Sequence, residues 1–276
     1  MSIIDAILLG IVQGITEFIP VSSSAHLTIV GNFLNLIDSK NPKEWTAIIA
    51  ILQLGTIIAV IIYFYKILFK ITKSFCIENF LNKKKIRLQS LESKLGWYII
   101  LGSLPIVVFG ILLKEIVEGS LTKNIFFISF NLIFFAIVLF IAEKISNQKR
   151  NLNEVNFFDA IGIGFAQIFA LFPGASRSGV TISAGLFSGL KREVAAEFSF
   201  LISIPAIVGS GIFELKTAFQ EIQTIGIEII IGTFVSAVVG YFAIYFLLHF
   251  LKKHSNKIFI YYRIAFGIFL ILFFIN

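Results

Sequence analysis

The sequence predicts an all-α polytopic membrane protein with an inverted-topology repeat, about six transmembrane helices and two re-entrant helical hairpins. Three observations carry that expectation. Mean hydropathy is +0.93, with 57% hydrophobic and only 14% charged residues in a 276-residue chain. The basic residues gather in short connections between apolar runs, and one sequence block occurs twice. So much apolar surface exceeds what one soluble core of this length can hide, and a bilayer is the solvent that accommodates it.

Taken in order, the chain opens with an apolar stretch to Ile19, which Pro20-Val21-Ser22-Ser23-Ser24 interrupts before a second short stretch ends at Leu36. Its first ten residues contain Asp5 and no basic residue, so they read as part of the mature protein and not as a cleaved signal. Apolar runs at 45–67, 94–114 and 125–143 follow, each close to the ~20 residues that cross a ~30 Å hydrocarbon layer. A second broken segment comes next: 157–172, then Pro173-Gly174-Ala175-Ser176-Arg177-Ser178, then 179–190. Runs at 193–213, 225–251 and 258–275 complete the chain.

The duplication is read from Asp5-Ala6-Ile7, Gly10, Gln13 and Pro20, which recur as Asp159-Ala160-Ile161, Gly164, Gln167 and Pro173 with one residue deleted before the proline. This predicts one integral membrane domain over 1–276, made of repeat 1 (1–146) and repeat 2 (155–276). Gln53-Leu54-Gly55 and Ser203-Ile204-Pro205 are expected to interrupt the span after each hairpin. An odd number of spans after each hairpin turns the second copy upside down, so the hairpins enter from opposite sides. Irregular backbone at membrane depth survives only where protein or water satisfies it, so the two breaks should line a common cavity near the midplane.

The net charge of +7 does not point to nucleic acid, because placement matters more than total. Lys66, Lys70, Lys73, Lys83, Lys84, Lys85, Arg87 and Lys94 flank one connection, Lys144, Lys149 and Arg150 the next. Lys191 with Arg192, and Lys252, Lys253 and Lys257 with Arg263, supply two more. These hold most of the 23 basic residues and are assigned to the cytoplasm. The connections around Lys40 and Lys43, at 115–123 and at 214–221 then face outward. A lone cysteine, Cys76, rules out an internal disulfide and a thiolate metal cluster.

Ionisable side chains are sparse where they matter. Residues 1–37 contain only Asp5, Glu17 and His26, and residues 155–190 only Asp159 and Arg177. Each such group costs ~2.5–3.5 kcal/mol at a helix centre, so a buried one needs a partner or a task. Glu17 and Arg177 sit beside the two breaks and share one pocket if the tips meet, either as working groups or as an ion pair that holds the repeats together. Gln13 lies on the same helical face as Glu17; Ser22 and Ser23 lie one turn before His26. Ser23 with His26 makes a nucleophile and base; the bland alternative is a serine cap and a core histidine. The second break suits an anion. Gly174 lets backbone approach closely, the following helix offers free N–H groups, Arg177 adds a fork, and Ser176, Ser178 and Thr181 add hydroxyls; its alternative is a plain helix cap. Glu17 and the Gln13 carbonyl offer oxygen ligands to Mg²⁺ or Ca²⁺, with water and substrate completing the shell. Glu193 and Glu197 read as a helix-start pair, and His249 and His254 as interfacial residues.

Gln13-Gly14-Ile15-Thr16-Glu17-Phe18-Ile19-Pro20-Val21-Ser22-Ser23-Ser24-Ala25-His26 resembles the first signature of the undecaprenyl-diphosphate phosphatases, and Pro173-Gly174-Ala175-Ser176-Arg177-Ser178-Gly179-Val180-Thr181 resembles the second. With the length, hydropathy and repeat, the resemblance covers essentially the whole chain. It implies hydrolysis of undecaprenyl diphosphate to undecaprenyl phosphate and inorganic phosphate, recycling the carrier lipid of cell-wall synthesis and protecting against bacitracin. It also implies a divalent cation at Gln13 and Glu17, a nucleophile and base at Ser23 and His26, and phosphate binding at Ser176, Arg177 and Thr181. Gln13 is one of two residue types at its position and leaves Glu17 the only carboxylate of the motif, which weakens any mechanism needing two. Ala25 stands where glycine is more usual. Whether Ser23 or His26 attacks phosphorus stays open. The implied partners are a polyprenyl diphosphate and membrane lipids, a homodimer is compatible, and the implied location is the bacterial plasma (inner) membrane with the site opening to the outer, periplasmic face. The rival class, drawn from the inverted repeat, is a transporter or flippase for a phosphorylated lipid, and a structural scaffold is a third.

Overall fold

The computed structural model describes residues 1–37, 42–119, 122, 124–221 and 226–274, with side chains for all of these but 42, 43, 118 and 210–221. Lys40, Lys123 and the side chains of Lys43 and of 214–221, expected on outward connections, lie outside the described residues. The first break separates α1 (Ile3–Phe18) from α2 (Ser23–Phe33). Then come α3 (Pro42–Tyr63), α4 (Tyr65–Cys76), α5 (Leu91–Leu112), the short α6 (Lys114–Glu118) and α7 (Ile125–Ile145). The second hairpin is α8 (Phe157–Gln167) and α9 (Arg177–Phe187), followed by α10 (Arg192–Glu221), α11 (Ile227–Leu251) and α12 (Lys257–Phe274).

Among the described residues five helices are long and apolar enough to cross a membrane: α3, α5, α7, α11 and α12. The 30-residue α10 has the length of a sixth and carries Arg192, Glu193 and Glu197 in its first two turns. The chain is an all-α polytopic membrane protein. Two expectations are corrected. The span expected at 45–67 is α3 and ends earlier: the helix breaks at Phe64, and α4 leaves as a separate amphipathic helix with Lys66, Lys70 and Lys73 along it. The expected interruptions at 53–55 and 203–205 are absent, since α3 and α10 run straight through them.

Helix ends are capped by the residues the sequence places there. Ser2, Ser90, Asn124 and Asn156 accept from first-turn amides of α1, α5, α7 and α8, and Asp5 and Asp159 close capping boxes at α1 and α8. Beyond α4, a π-helical turn (Ile77–Leu81) folds back to the start of α5. There the Ser90 N–H donates to Glu78 at 2.8 Å and Lys84 lies 3.3 Å away. These two donors, the amide first, hold the Glu78 carboxyl below the usual glutamate range.

The two halves interlock by contacts that recur in pairs. α1 crosses α11 with Gly10 against the Gly232 backbone, and α8 crosses α5 with Gly164 against the Gly102 backbone. Ser236 Oγ on α11 donates to the Leu52 carbonyl on α3 at 2.9 Å, and Ser103 Oγ on α5 donates to the Ile202 carbonyl on α10 at 2.7 Å. Each hairpin's long helix thus lies on a span of the other half, and small residues set the approach because lipid offers no hydrophobic drive between helices. α7 shows what the remaining surface is for. Leu132, Ala136 and Leu139 are fully buried, whereas Phe126, Phe130, Phe134, Phe140 and Ile141 form an exposed stripe, the two-sided apolar pattern of a helix packed on protein and wetted by acyl chains.

The basic ends of the helices are also knotted. Arg150 forks onto Asp159 and donates to the Ser188 carbonyl at 2.7 Å, and the Asp159 carboxylate holds the Arg150 guanidinium above its ordinary pKa. Arg192 pairs with Glu143, which also accepts from Asn256 Nδ2 at 2.9 Å.

Candidate active site

The two breaks end in the same cap geometry. Ser22, at φ 76°, caps α2 by accepting from the Ala25 N–H, and Ser176, at φ 69°, caps α9 by accepting from the Gly179 N–H. Left-handed backbone is uncommon for a residue with a side chain, so its appearance at both caps marks them as equivalent. Ser23 and Arg177, the first residues of α2 and α9, are then equivalent as well.

The tips meet. The Gly174 N–H donates to Ser22 Oγ at 3.2 Å, and Ser178 Oγ donates to the Ile19 carbonyl at 3.3 Å. Gly174 stands at φ +92°, and a Cβ there would run into the Ile128 carbonyl oxygen, so only glycine fits. Asn131 Nδ2 holds the Pro173 carbonyl at 3.0 Å.

Glu17, 5% exposed, is the centre of the cluster. Its Oε2 accepts from Ser23 Oγ at 2.7 Å and Gln13 Nε2 at 2.9 Å; its Oε1 accepts from Gln53 Nε2 at 3.1 Å and from the Arg177 guanidinium. A carboxylate at membrane depth is tolerable when paired and hydrogen-bonded in this way. The Gln13 Oε1 atom is buried without a partner, an unused acceptor beside the Glu17 carboxylate. Among the described residues no three His, Cys, Asp or Glu side chains gather to hold a metal ion, so any cation here would rest on Gln13, Glu17 and oxygens brought by its ligand.

His26 departs from the expected pairing with Ser23. Its Nδ1 lies 2.7 Å from the Ser22 carbonyl oxygen, which can only accept, so that nitrogen carries the hydrogen. In the neutral ring Nε2 is then an acceptor, and it meets the Tyr262 hydroxyl at 2.6 Å. Phe266 stacks on the imidazole at 4.5 Å. The Ser23 hydroxyl therefore faces Glu17, and the imidazole faces α12.

Thr181 also departs from expectation. It is fully buried, and its hydroxyl donates to the Arg177 carbonyl at 2.7 Å beside Ser199 on α10. That places it in the α9–α10 contact, one turn along α9 from Arg177. Ser22, Ser176 and Ser178 are buried and engaged in capping or joining the tips, while Ser23, His26 and Arg177 keep partial exposure. This separates the hydroxyls that build the site from the groups a ligand could reach.

Sequence reasoning missed Gln53, Tyr262 and Arg263. Gln53 belongs to a triplet read only as a helix interruption. Arg263 is grouped with the cytoplasmic charges yet is fully buried in α12 against the second break; the signal available was a lone cation inside an apolar run. Two clefts at the basic end lie apart from the tips: one of about 560 Å³ is lined by Lys66, Lys70, Glu92 and Asn151, and another of about 310 Å³ by Tyr63, Glu193, Glu197, His249 and Lys252. His249 and His254 are exposed, as an interfacial role requires.

Comparison with known proteins finds a family model and several relatives that match. The model for bacitracin resistance protein BacA matches residues 6–269. An undecaprenyl-diphosphatase of Syntrophobacter fumaroxidans is 46% identical over 268 residues, covering 97% of this chain and 95% of the relative. One from Chloroherpeton thalassium is 44% identical, covering 98% and 96%, and one from Mycolicibacterium smegmatis is 42% identical, covering 97% and 95%.

Proposed function

The chain belongs to the BacA bacitracin resistance family, and from that premise we propose that it hydrolyses undecaprenyl diphosphate to undecaprenyl phosphate and inorganic phosphate, recycling the carrier lipid of cell-wall synthesis. The observation that carries this reading is the buried cluster in which Glu17 and Ser23 of one break meet Arg177 of the other. The relatives' shared name favours hydrolysis over the transport alternative.

The geometry supports the following chemistry. Arg177 binds the terminal phosphate as a bidentate fork and stabilises charge on its oxygens as the transition state forms. Glu17 takes the proton of Ser23 Oγ, 2.7 Å away, as that oxygen bonds to the terminal phosphorus. The bond from phosphorus to the bridging oxygen breaks, its electron pair leaves with the lipid monophosphate, and Glu17 returns a proton to the leaving oxygen. Water then attacks the phosphoserine through the same carboxylate, the Oγ–P bond breaks, Oγ regains a hydrogen, and inorganic phosphate departs. His26 stands aside from the serine, with Nε2 placed to take a proton from the Tyr262 hydroxyl.

Gln13 and Glu17 are proposed to hold Mg²⁺ or Ca²⁺ together with substrate oxygens, and the unpartnered Gln13 Oε1 supports this. When bound, such an ion supplies positive charge to the phosphate oxygens. The proposed setting is the bacterial inner membrane, with the tips opening to the outer face and the basic connections inside. The test is phosphate release by the purified protein from a polyprenyl diphosphate with Mg²⁺. Release by Glu17→Ala and Arg177→Ala at the parent's rate would sink the proposal.

A further inference from the structure

Arg263 has a placement that the reaction above does not use. It lies in α12 with 0% of its surface exposed, and among the described residues no carboxylate pairs with it. Its Nη2 donates to the carbonyl oxygens of Gly174 and Ala175, each at 2.9 Å. Its Nε and Nη1 have no acceptor. A Cβ at position 179 would come within 2.6 Å of Nη1, so the first turn of α9 admits the guanidinium because residue 179 is glycine.

A guanidinium keeps its charge at any pH a protein meets, and a buried ion without a counter-charge is among the costliest features a fold can carry. Two carbonyl dipoles offset part of that cost and leave two donors idle. The direction of the contact matters. The Gly174 carbonyl points to α12 and Arg263, while the Gly174 N–H points to Ser22 of the other hairpin, so Arg263 stands behind the turn whose front faces the joined tips. Its full burial keeps bulk solvent off the guanidinium, so its field reaches across the turn with little screening.

We propose that Arg263 is a positioning residue of the phosphate site: it holds the 174 and 175 carbonyls back from the tips and adds a permanent positive charge whose counter-charge is the phosphate bound in front of the break. This rests on the hydrolase reading for the ligand's identity. It adds a second cation to that site, one that never touches the reacting atoms.

The full chain in detergent is followed by melting temperature with added inorganic phosphate, against potassium chloride at equal ionic strength, and by kcat and KM for a polyprenyl diphosphate. Phosphate is expected to stabilise the parent. Arg263→Gln should lose that stabilisation and raise KM roughly tenfold, the scale of one charge-assisted interaction. Arg263→Lys keeps the charge and should keep both readouts near the parent's while kcat falls. A folded Arg263→Gln protein with the parent's phosphate response and KM overturns the proposal. So does an Arg263→Gln protein that cannot fold alongside an Arg263→Lys protein that has lost the response, because Arg263 then serves the turn alone. A parent that releases no phosphate from the lipid would instead sink the hydrolase reading, and the phosphate response, measured without turnover, tells the two failures apart.

Discussion

The two breaks share a cap geometry and differ in chemistry. At the equivalent first-turn position one presents Ser23 and the other Arg177; Glu17 and His26 of the first correspond to Leu171 and Val180 of the second. Gln13 donates to Glu17, whereas its counterpart Gln167 is buried with neither amide atom partnered, because Leu171 gives it nothing to hold. Two similar caps thus bring two helix N-termini together, and they present different groups there. The first half carries the carboxylate, the serine hydroxyl and the imidazole, the second the guanidinium. Neither half is a site alone.

The strongest way to break that division is at its two poles. Glu17→Ala and Arg177→Ala are each expected to lower phosphate release by about 10²–10⁴-fold, the range for a removed general base or a transition-state donor. Since the two groups act on one phosphate, the double variant should be scarcely slower than the slower single one. Independent, multiplying losses would show two separate sites. Ser23→Ala should fall in the same range with the fold intact, and a rate near the parent's would return the attack to water or to His26.

A middle-sized effect sharpens the division within the first half. Tyr262→Phe removes only the hydroxyl that meets His26 Nε2, and about 1 kcal/mol of lost hydrogen bonding corresponds to a several-fold drop in kcat. Thr181→Val, by contrast, should cost about 1 kcal/mol in stability and leave KM within twofold, because its hydroxyl serves the α9–α10 contact. A large rise in KM would place Thr181 on the phosphate after all.

Much of this was legible in residue order. Pro20 and the serines after it, and Pro173-Gly174, are polar or helix-breaking in the middle of apolar runs, so the hairpins and the meeting of Glu17 with Arg177 follow from pattern and cost alone. What the pattern could not carry was side-chain direction. The positive φ at Ser22 turns the start of α2 so that Ser23 faces Glu17 and the Ser22 carbonyl receives His26, and no spacing rule contains that rotation. α4 was hidden because hydropathy runs smoothly through Phe64 while the change there is geometric. Arg263 was hidden because a window average cannot tell a cation buried against a neighbouring turn from one that reaches the interface.

The finest comparison is between the two caps themselves. Ser22 and Ser176 have nearly the same φ, and each accepts from an amide of its own helix, but only Ser22 also receives the Gly174 N–H from the opposite hairpin. Glycine costs little at an N-cap, a few tenths of a kcal/mol, and relieves the left-handed backbone that serine must hold. Ser176→Gly should therefore melt within about a degree of the parent, a shift of a few tenths of a kcal/mol. Ser22→Gly leaves a buried amide unpaired and should cost about 1 kcal/mol more, so its melting temperature should be the lower of the two. Equal melting temperatures would mean that the Gly174–Ser22 contact contributes nothing to holding the tips together, which would then rest on the Ser178–Ile19 contact and the Arg177 ion pair.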